Sequence, residues 1–287
     1  MRTIYGYTLA AVLVLLPRFA AAQDTAGVIS IDSSGLGTST CKTSPTVDAF
    51  AALDYCQDFL GTGIGEAHAD PNGQVVSFLR IGTDTPGTLA RSYLPESRHM
   101  IAAARHTDVM HVIPRKGVHP KFILLSFLVT LTDTTHALGT GYWSSETIFT
   151  LTSPSVATDT GFDYRQSSLD TFNHPPTGEY YFLPDTSTIP LNGEYVFFAS
   201  YYTGVTNIPV AWSETVTGMT SLSAPDDGVG NDRTFSVTPA HYIVLDANER
   251  NITSEVRVTF DRATFSASTF PESSCHDWDR HHRPRCG

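Results

Sequence analysis

Ten consecutive residues, Phe122-Ile123-Leu124-Leu125-Ser126-Phe127-Leu128-Val129-Thr130-Leu131, form the run that most restricts what this chain can fold into. In an extended strand Ile123, Leu125, Phe127, Val129 and Leu131 all point to one side. That side is wholly apolar, while Phe122, Leu124, Ser126, Leu128 and Thr130 make a mixed second face. The run is shorter than the ~20 residues that cross a bilayer, and its β-branched and aromatic content favours a strand over a buried helix. The reading is a mid-sheet strand covered on both faces.

The N-terminus has the pattern of a secretory signal over residues 1–22. Arg2 gives the positive start, Thr8 to Leu16 the short apolar stretch, and Ala20-Ala21-Ala22 the small residues before a cut at Gln23. Later segments show no stop-transfer pattern, so the expectation is secretion to the extracellular space with no membrane span. Removing residues 1–22 takes away Arg2 and Arg18 and no acid, which moves the formal net charge from −11 to −13. A surface this acidic repels phosphate backbones and argues against nucleic acid as a partner.

Residues 23–270 read as a single β-sandwich domain. Strands are expected at Ala26 to Ser34, Gln74 to Ile81, Thr147 to Leu151, Tyr180 to Leu183, Glu194 to Tyr202, Val210 to Thr217, Thr234 to Thr238 and His241 to Leu245. Turn residues such as Asp70-Pro71-Asn72-Gly73 and Asn192-Gly193 separate them. The last strand alternates cleanly, with Val256, Val258 and Phe260 inward. Asp133 to Ser145 reads as a polar loop tipped by Tyr142 and Trp143, and the Met100 to Ala104 stretch fits helix or strand equally. Many short strands with frequent turns give an all-β fold, a β-sandwich of jelly-roll type.

One short amphipathic helix is expected near the N-terminus. Ser44 caps it, Pro45 opens it, and Ala49, Ala52, Leu53, Cys56 and Leu60 recur at helical spacing. This Cys-helix-Cys segment, 41–61, resembles the piece that opens the mature part of many secreted fungal proteins. The resemblance implies an extracellular or cell-wall setting and brings no catalytic residue.

Four cysteines in an exported chain point to two disulfides. The local pairing joins Cys41 to Cys56 and Cys275 to Cys286. The competing arrangement ties Cys41 or Cys56 to the tail. The local pairing is preferred because each pair brackets a short segment, and it makes residues 271–287 a disulfide-closed, His- and Arg-rich tail in which His276, His281 and His282 offer nitrogen ligands to zinc or copper. The bland alternative is a solvated tail whose arginines neutralise Asp277 and Asp279.

Asp226, Asp227, Asn231 and Asp232 crowd one Gly-rich turn and offer oxygens to calcium, although the spacing is not that of an EF-hand. A polar hairpin turn accounts for the same residues on backbone grounds. His106, His111 and His119 lie close in sequence, but His106 and His111 have opposite strand parity and do not converge.

Hydrolase signatures of the Gly-x-Ser-x-Gly and His-Glu-x-x-His types are absent from the sequence. Glu146, Glu179, Glu194 and Glu214 lie on or beside expected strands and keep a paired-carboxylate glycosidase open. Aromatics crowd the middle of the chain. Tyr195, Phe197 and Tyr201 share one face of a strand, and Phe198 and Tyr202 the other. That second face is either covered by another layer, so that its aromatics pack in the core, or exposed. If exposed, Tyr202, with Tyr142 and Trp143, is a candidate ligand contact, since aromatic strips on β-sandwiches stack against sugar rings. Asn251-Ile252-Thr253 is the single glycosylation sequon.

The leading expectation is a secreted, non-catalytic sandwich at a surface or in the matrix, with an extracellular polysaccharide or a surface protein as partner. The alternatives are a secreted glycan hydrolase acting through paired carboxylates and a metal-dependent extracellular enzyme.

Overall fold

A computed structural model describes residues 24–32, 52–57, 63–82, 97–138, 142–154, 160–167, 178–183, 192–221, 228–268, 277–279 and 283–285. Their regular structure is almost entirely strand, with one 3-10 turn at Thr253–Glu255 and no α-helix. The first half supplies β1 (Thr25–Asp32), β2 (Ala52–Gln57), β3 (Gly63–Ala69), β4 (Val75–Gly82), β5 (Ser97–Pro114), β6 (Phe122–Leu138), β7 (Tyr142–Thr152) and β8 (Thr160–Ser167). The second half supplies β9 (Gly178–Leu183), β10 (Gly193–Tyr201), β11 (Asn207–Ser221), β12 (Gly228–Leu245), β13 (Val256–Phe260) and β14 (Ser266–Ala267). A small hairpin, β15 (Asp277–Asp279) with β16 (Arg283–Arg285), stands apart as its own sheet.

Two sheets pack face to face as a β-sandwich. One has the order β1-β5-β11-β7-β8-β9, with β13 on the part of β5 that β1 leaves unpaired. The other has the order β10-β6-β12-β4-β3-β2, with the short β14 beside β12. Every pairing is antiparallel except β12 with β14. The chain crosses between sheets from β4 to β5, β5 to β6 and β6 to β7, and again from β10 to β11 and β11 to β12. The two crossing series nest: β4 pairs with β12, β5 with β11 and β6 with β10. In both sheets strands before Ser153 therefore pair with strands after Ser168: β4 and β6 with β12, β6 with β10, and β5 and β7 with β11.

The two-residue period of the strand decides what is inside. On β5 the even residues from Met100 to Val112 are buried, and on β11 those from Ile208 to Gly218. The core run lies where its apolar face requires, in β6 between β10 and β12. Ile123, Leu125, Phe127 and Val129 are closed to solvent, and Phe127 contacts Phe149 (5.1 Å between centroids), Trp212 (5.4 Å), Phe265 (5.5 Å) and Phe197 (6.1 Å). The second face of β6 is only half covered: Leu124 and Ser126 are buried, whereas Leu128 is 49% exposed.

The Asp70–Gly73 turn is formed, with the Gly73 N–H donating to the Asp70 carbonyl at 2.9 Å. Gly73 has φ +90°, and a Cβ there would come within 2.7 Å of the Trp212 ring, so backbone and packing both call for glycine. The Gly73 carbonyl in turn accepts the Trp212 indole N–H at 2.7 Å, which fastens the turn to the core.

Two expectations are corrected and one open stretch is assigned. Residues 52–57 of the anticipated N-terminal helix form the edge strand β2, paired from Ala52↔Ala69 to Gln57↔Ile64. A short apolar run fits either period, and an isolated helix of this length is marginal, so pairing with β3 prevails. The rest of that segment lies outside the described residues. The expected polar loop at 133–145 is mostly strand: β6 continues to Leu138 because Thr132–Leu138 pair with Thr234–Gly228 of β12, and β7 starts at Tyr142. The undecided stretch at Met100–Ala104 is part of the long strand β5.

Truncation should reflect this division of faces. Phe127→Ala is expected to lower the unfolding free energy by about 3–5 kcal/mol, whereas Leu128→Ala, one residue along and outward, should change it by less than about 1 kcal/mol. Urea unfolding of both variants measures the difference.

Candidate functional site

Four features gather chemistry in this fold: three buried polar groups in or beside the interior and one aromatic face on the outside of the β10-β6-β12 sheet. The first buried group joins Asp24 before β1 to His106 and Asp108 on β5 and to Arg262 after β13. His106 Nδ1 lies 2.9 Å from Asp24 Oδ1 and Nε2 lies 3.5 Å from Asp108 Oδ2. Arg262 clasps the Asp24 carboxylate with two donors at 2.8 and 2.9 Å and also donates to the Thr107 carbonyl. Asp108 accepts the backbone N–H groups of Val109 and Ala263 at 2.7 Å and of Asp261 at 3.1 Å.

Burial opposes charging His106, but hydrogen bonds to Asp108 and Asp24 outweigh it and raise the imidazole above its ordinary range. Burial likewise opposes the Asp108 carboxylate, and His106 with the Ala263 and Val109 N–H groups reverses this and lowers it. The His106, Asp24 and Asp108 side chains are closed to solvent, so this cluster fastens β1 and the 261–263 turn to β5 and offers nothing to a substrate.

In the second, Arg233 points into the interior and is closed to solvent. It donates to Asp133 at 2.6 Å and to Thr147 at 3.2 Å, with Tyr164 beneath its guanidinium at 5.4 Å. The third is Glu214, 1% exposed on the inner face of β11. Burial pushes its carboxyl well above the ordinary range, with the buried Ser77 hydroxyl offsetting part of the effect. Glu214 is closed off from any glycan, so the catalytic pair of a glycosidase cannot include it.

The outer face is assembled by register. Directly opposed residues of an antiparallel pair present their side chains on the same side. Tyr201 pairs with Phe122 and Phe122 with Leu245, while Phe198 pairs with Leu124 and Leu124 with Ile243. Two apolar rows therefore cross the sheet. Phe198 meets Tyr201 edge-on at 4.7 Å, and Phe122 lies 5.7 Å from Tyr201 and 6.4 Å from Phe198. Lys121 Nζ stands 5.7 Å from the Tyr201 ring centre.

Farther along the same face Glu194 accepts the Ser126 hydroxyl at 2.5 Å and contacts His241 Nδ1 at 2.7 Å. The Ser126 oxygen accepts the His241 backbone N–H at 2.8 Å. This Ser, His and Glu grouping is not a nucleophile relay. The imidazole shares the carboxylate and does not touch the hydroxyl, and Ser126 is buried.

A β-bulge between Phe198 and Ser200 decides which tyrosine faces out. Strict alternation puts Tyr201 inside and Tyr202 outside. The bulge reverses them: Tyr201 is 37% exposed on the outer face, and Tyr202 packs against the main core. Of the other expected ligand contacts, Tyr142 and Trp143 open β7, paired with Ser221 and Thr220, and are not on a loop tip.

The proposed calcium turn is divided. Asn231 and Asp232 are consecutive positions within strand β12, paired with Ile81 and Arg80 of β4 and not in a turn, and Asp232 holds Arg80 through two bonds of 2.9 Å. Asp226 and Asp227 lie outside the described residues, as do His276, His281, His282, Cys41, Cys275 and Cys286. Cys56 is placed only as a β2 position opposite Gly65. Among the described residues no three His, Cys, Asp or Glu side chains group as they would around a metal ion.

A groove of about 490 Å³ runs between the end of β5, β13 and β14, lined by Ile113, Tyr242, Thr253, Val256 and Arg257 among others. Its charged residues Arg115, Glu255 and Arg257 are exposed, which makes it open and wet where ligand pockets are enclosed. No described helix is long and apolar enough to cross a membrane. Comparison with protein families, curated proteins and solved structures finds no match to this chain.

Glu214 and His106 give stability a pH dependence with a definite sign. A carboxyl raised in the folded state costs nothing below its ordinary value of 4.5 and penalises folding increasingly as pH rises above it. A raised histidine contributes fully below its ordinary 6.5, and the contribution is lost as pH rises through the folded value. Glu214→Gln keeps the shape of the neutral acid without the proton. Its unfolding free energy should match the parent's near pH 4 and exceed it progressively above pH 5, as measured by urea unfolding across pH. The decline above 6.5 that belongs to His106 should remain in this variant.

Proposed function

We propose that this is a secreted, non-catalytic β-sandwich protein that binds neutral extracellular polysaccharide on the outer face of β10, β6 and β12. The observation that carries the reading is the aromatic row on that face, with Tyr201 37% exposed beside Phe198 and Phe122. Aromatic rings stack on the apolar faces of sugar rings, and a few polar groups nearby fix the hydroxyls. Lys121 beside Tyr201, and Glu194 with His241 farther along, are polar groups of that kind. The chain's net charge of −11 favours a neutral glycan over an acidic one.

The signal pattern of residues 1–22 and the single sequon support export. The nested strand order, β4-β12-β6-β10 facing β5-β11-β7-β8, supports reading the sandwich as a jelly roll. The jelly roll is an architecture with many functions, so the reading rests on the face and not on the fold.

Binding to insoluble cellulose, chitin and mannan, followed by depletion from solution, tests the proposal. Tyr201→Ala should weaken binding to the polysaccharide that retains the parent by about tenfold, the equivalent of ~1.4 kcal/mol. Tyr202→Ala should weaken it less at equal folded fraction, because Tyr202 faces the core. Equal retention of the parent and Tyr201→Ala would reject this face as the sugar site.

A further inference from the structure

The aromatic row does not end at Leu245. Beyond it Asn251 forms an isolated antiparallel bridge to Leu245, so Tyr201, Phe122, Leu245 and Asn251 stand side by side in one line across the outer face. Leu245 itself packs outward with Leu124, Ile243, Phe122 and Val196. Opposed residues share a face, which places the Asn251 side chain on the same side as the aromatics. At about 4.8 Å per strand, Asn251 lies roughly 10 Å from Phe122 along this line.

We infer that Asn251 carries an N-linked glycan whose first sugars lie along Leu245, Phe122 and Tyr201, so that the occupant of this face in the exported protein is the chain's own carbohydrate. The inference rests on the sugar-binding reading of the face and names what fills it. Asn251 is half-buried, and its Oδ1 accepts the Thr253 N–H at 2.9 Å. That bond holds the side-chain amide by its oxygen and uses none of the Nδ2 hydrogens. Residues 247–250 beside it are exposed.

Thr253, the third residue of the sequon, is 4% exposed, and its hydroxyl oxygen accepts the Val244 N–H at 2.9 Å. A transferase cannot reach that hydroxyl in the folded protein, so transfer precedes completion of the sandwich. In the transfer Asn251 Nδ2 forms a bond to the anomeric carbon of a lipid-linked glycosyl diphosphate. The bond from that carbon to the diphosphate oxygen breaks, the lipid diphosphate leaves, and Nδ2 loses one proton. No oxidant is required, and the other residue of this chain that the transfer uses is Thr253, whose hydroxyl is free only before the sandwich closes.

The test uses the full chain exported by a eukaryotic host. The intact mass should fall by one glycan on treatment with an amidase that converts glycosylated Asn251 to Asp, a product that keeps the acceptor oxygen for Thr253. Glycan removal should lower the melting temperature of the parent by about 2–4 °C. In Tyr201→Ala that loss should shrink by half or more. Leu128→Ala, at the far end of the same face, should show the parental loss. A mass unchanged by the amidase overturns the inference, and so does an equal melting shift in parent and Tyr201→Ala.

Polysaccharide binding separates this outcome from that of the underlying reading. Stronger binding after glycan removal in the parent supports both. Binding that is unchanged by removal, with the melting shift independent of Tyr201, overturns occupancy by the glycan and leaves the sugar-binding face standing. No binding in any form, with the Tyr201-dependent shift present, overturns recognition of external polysaccharide and supports packing of the glycan.

Discussion

The interior seam between the two sheets is the constraint on which the rest depends. Phe127 at its centre touches Phe149 and Trp212 from the opposing sheet and Phe197 from its own. Each strand commits alternate residues to that seam, so a single-residue slip in β6 would expose Ile123, Leu125, Phe127 and Val129 together. Register is therefore fixed by burial across the whole sandwich. Once fixed, it dictates the content of the opposite face, and the outer rows at Tyr201 and Phe198 follow from the same pairing that closes the core.

The seam also holds charge, and the contrast among its polar groups is instructive. Arg233 reaches a carboxylate, a hydroxyl and an aromatic face. Asp108 collects backbone donors from the 261–263 turn, and His106 stands between two carboxylates. Those groups are met by partners of the appropriate kind, as burial of charge demands. Among the described residues Glu214 has no cation of comparable closeness, and burial pushes its carboxyl well above the ordinary range. Arg233 and the His106 cluster each join segments far apart in the chain, residue 24 with 106 and 262, residue 133 with 233. They fix which segments meet more than they add to apolar burial.

Much of the sheet structure was legible because period two is a local signal. The apolar face of Phe122–Leu131, the alternation of Val256, Val258 and Phe260, and the Asp70–Gly73 turn all read directly from neighbouring residues. The segment around Ala52–Gln57 was misread as helix because its apolar positions satisfy both periods, and only the partner strand β3 distinguishes them. The site was harder to read for a different reason. Tyr201 and Tyr202 exchange faces at the bulge beside Ser200, and a bulge alters parity without a distinctive residue to announce it. The Asp24–His106–Arg262 cluster was invisible because nothing local relates those three positions. A weak hint existed in His106 itself, a titratable residue at an inward position of an otherwise apolar strand face.

The outer face follows from the same reasoning about burial. Leu124, Ile243 and Leu245 are less than one-tenth exposed although they point away from the seam. They are covered at the level of the protein by their own neighbours, Phe122 and Val196 among them. The aromatic rings form the outermost layer of that cluster, and Tyr201 is its most exposed ring. A sheet face left to water ordinarily carries polar side chains at alternate positions, whereas before Thr130 this face of β6 carries Phe122, Leu124 and Leu128 with Ser126, itself buried, as its one polar residue. The apolar half is the half that lines up with Asn251. Carbohydrate is amphipathic in the way this surface requires, with apolar ring faces toward the aromatics and hydroxyls toward solvent, so a sugar on that row would complete the layer without creating a second hydrophobic surface above it.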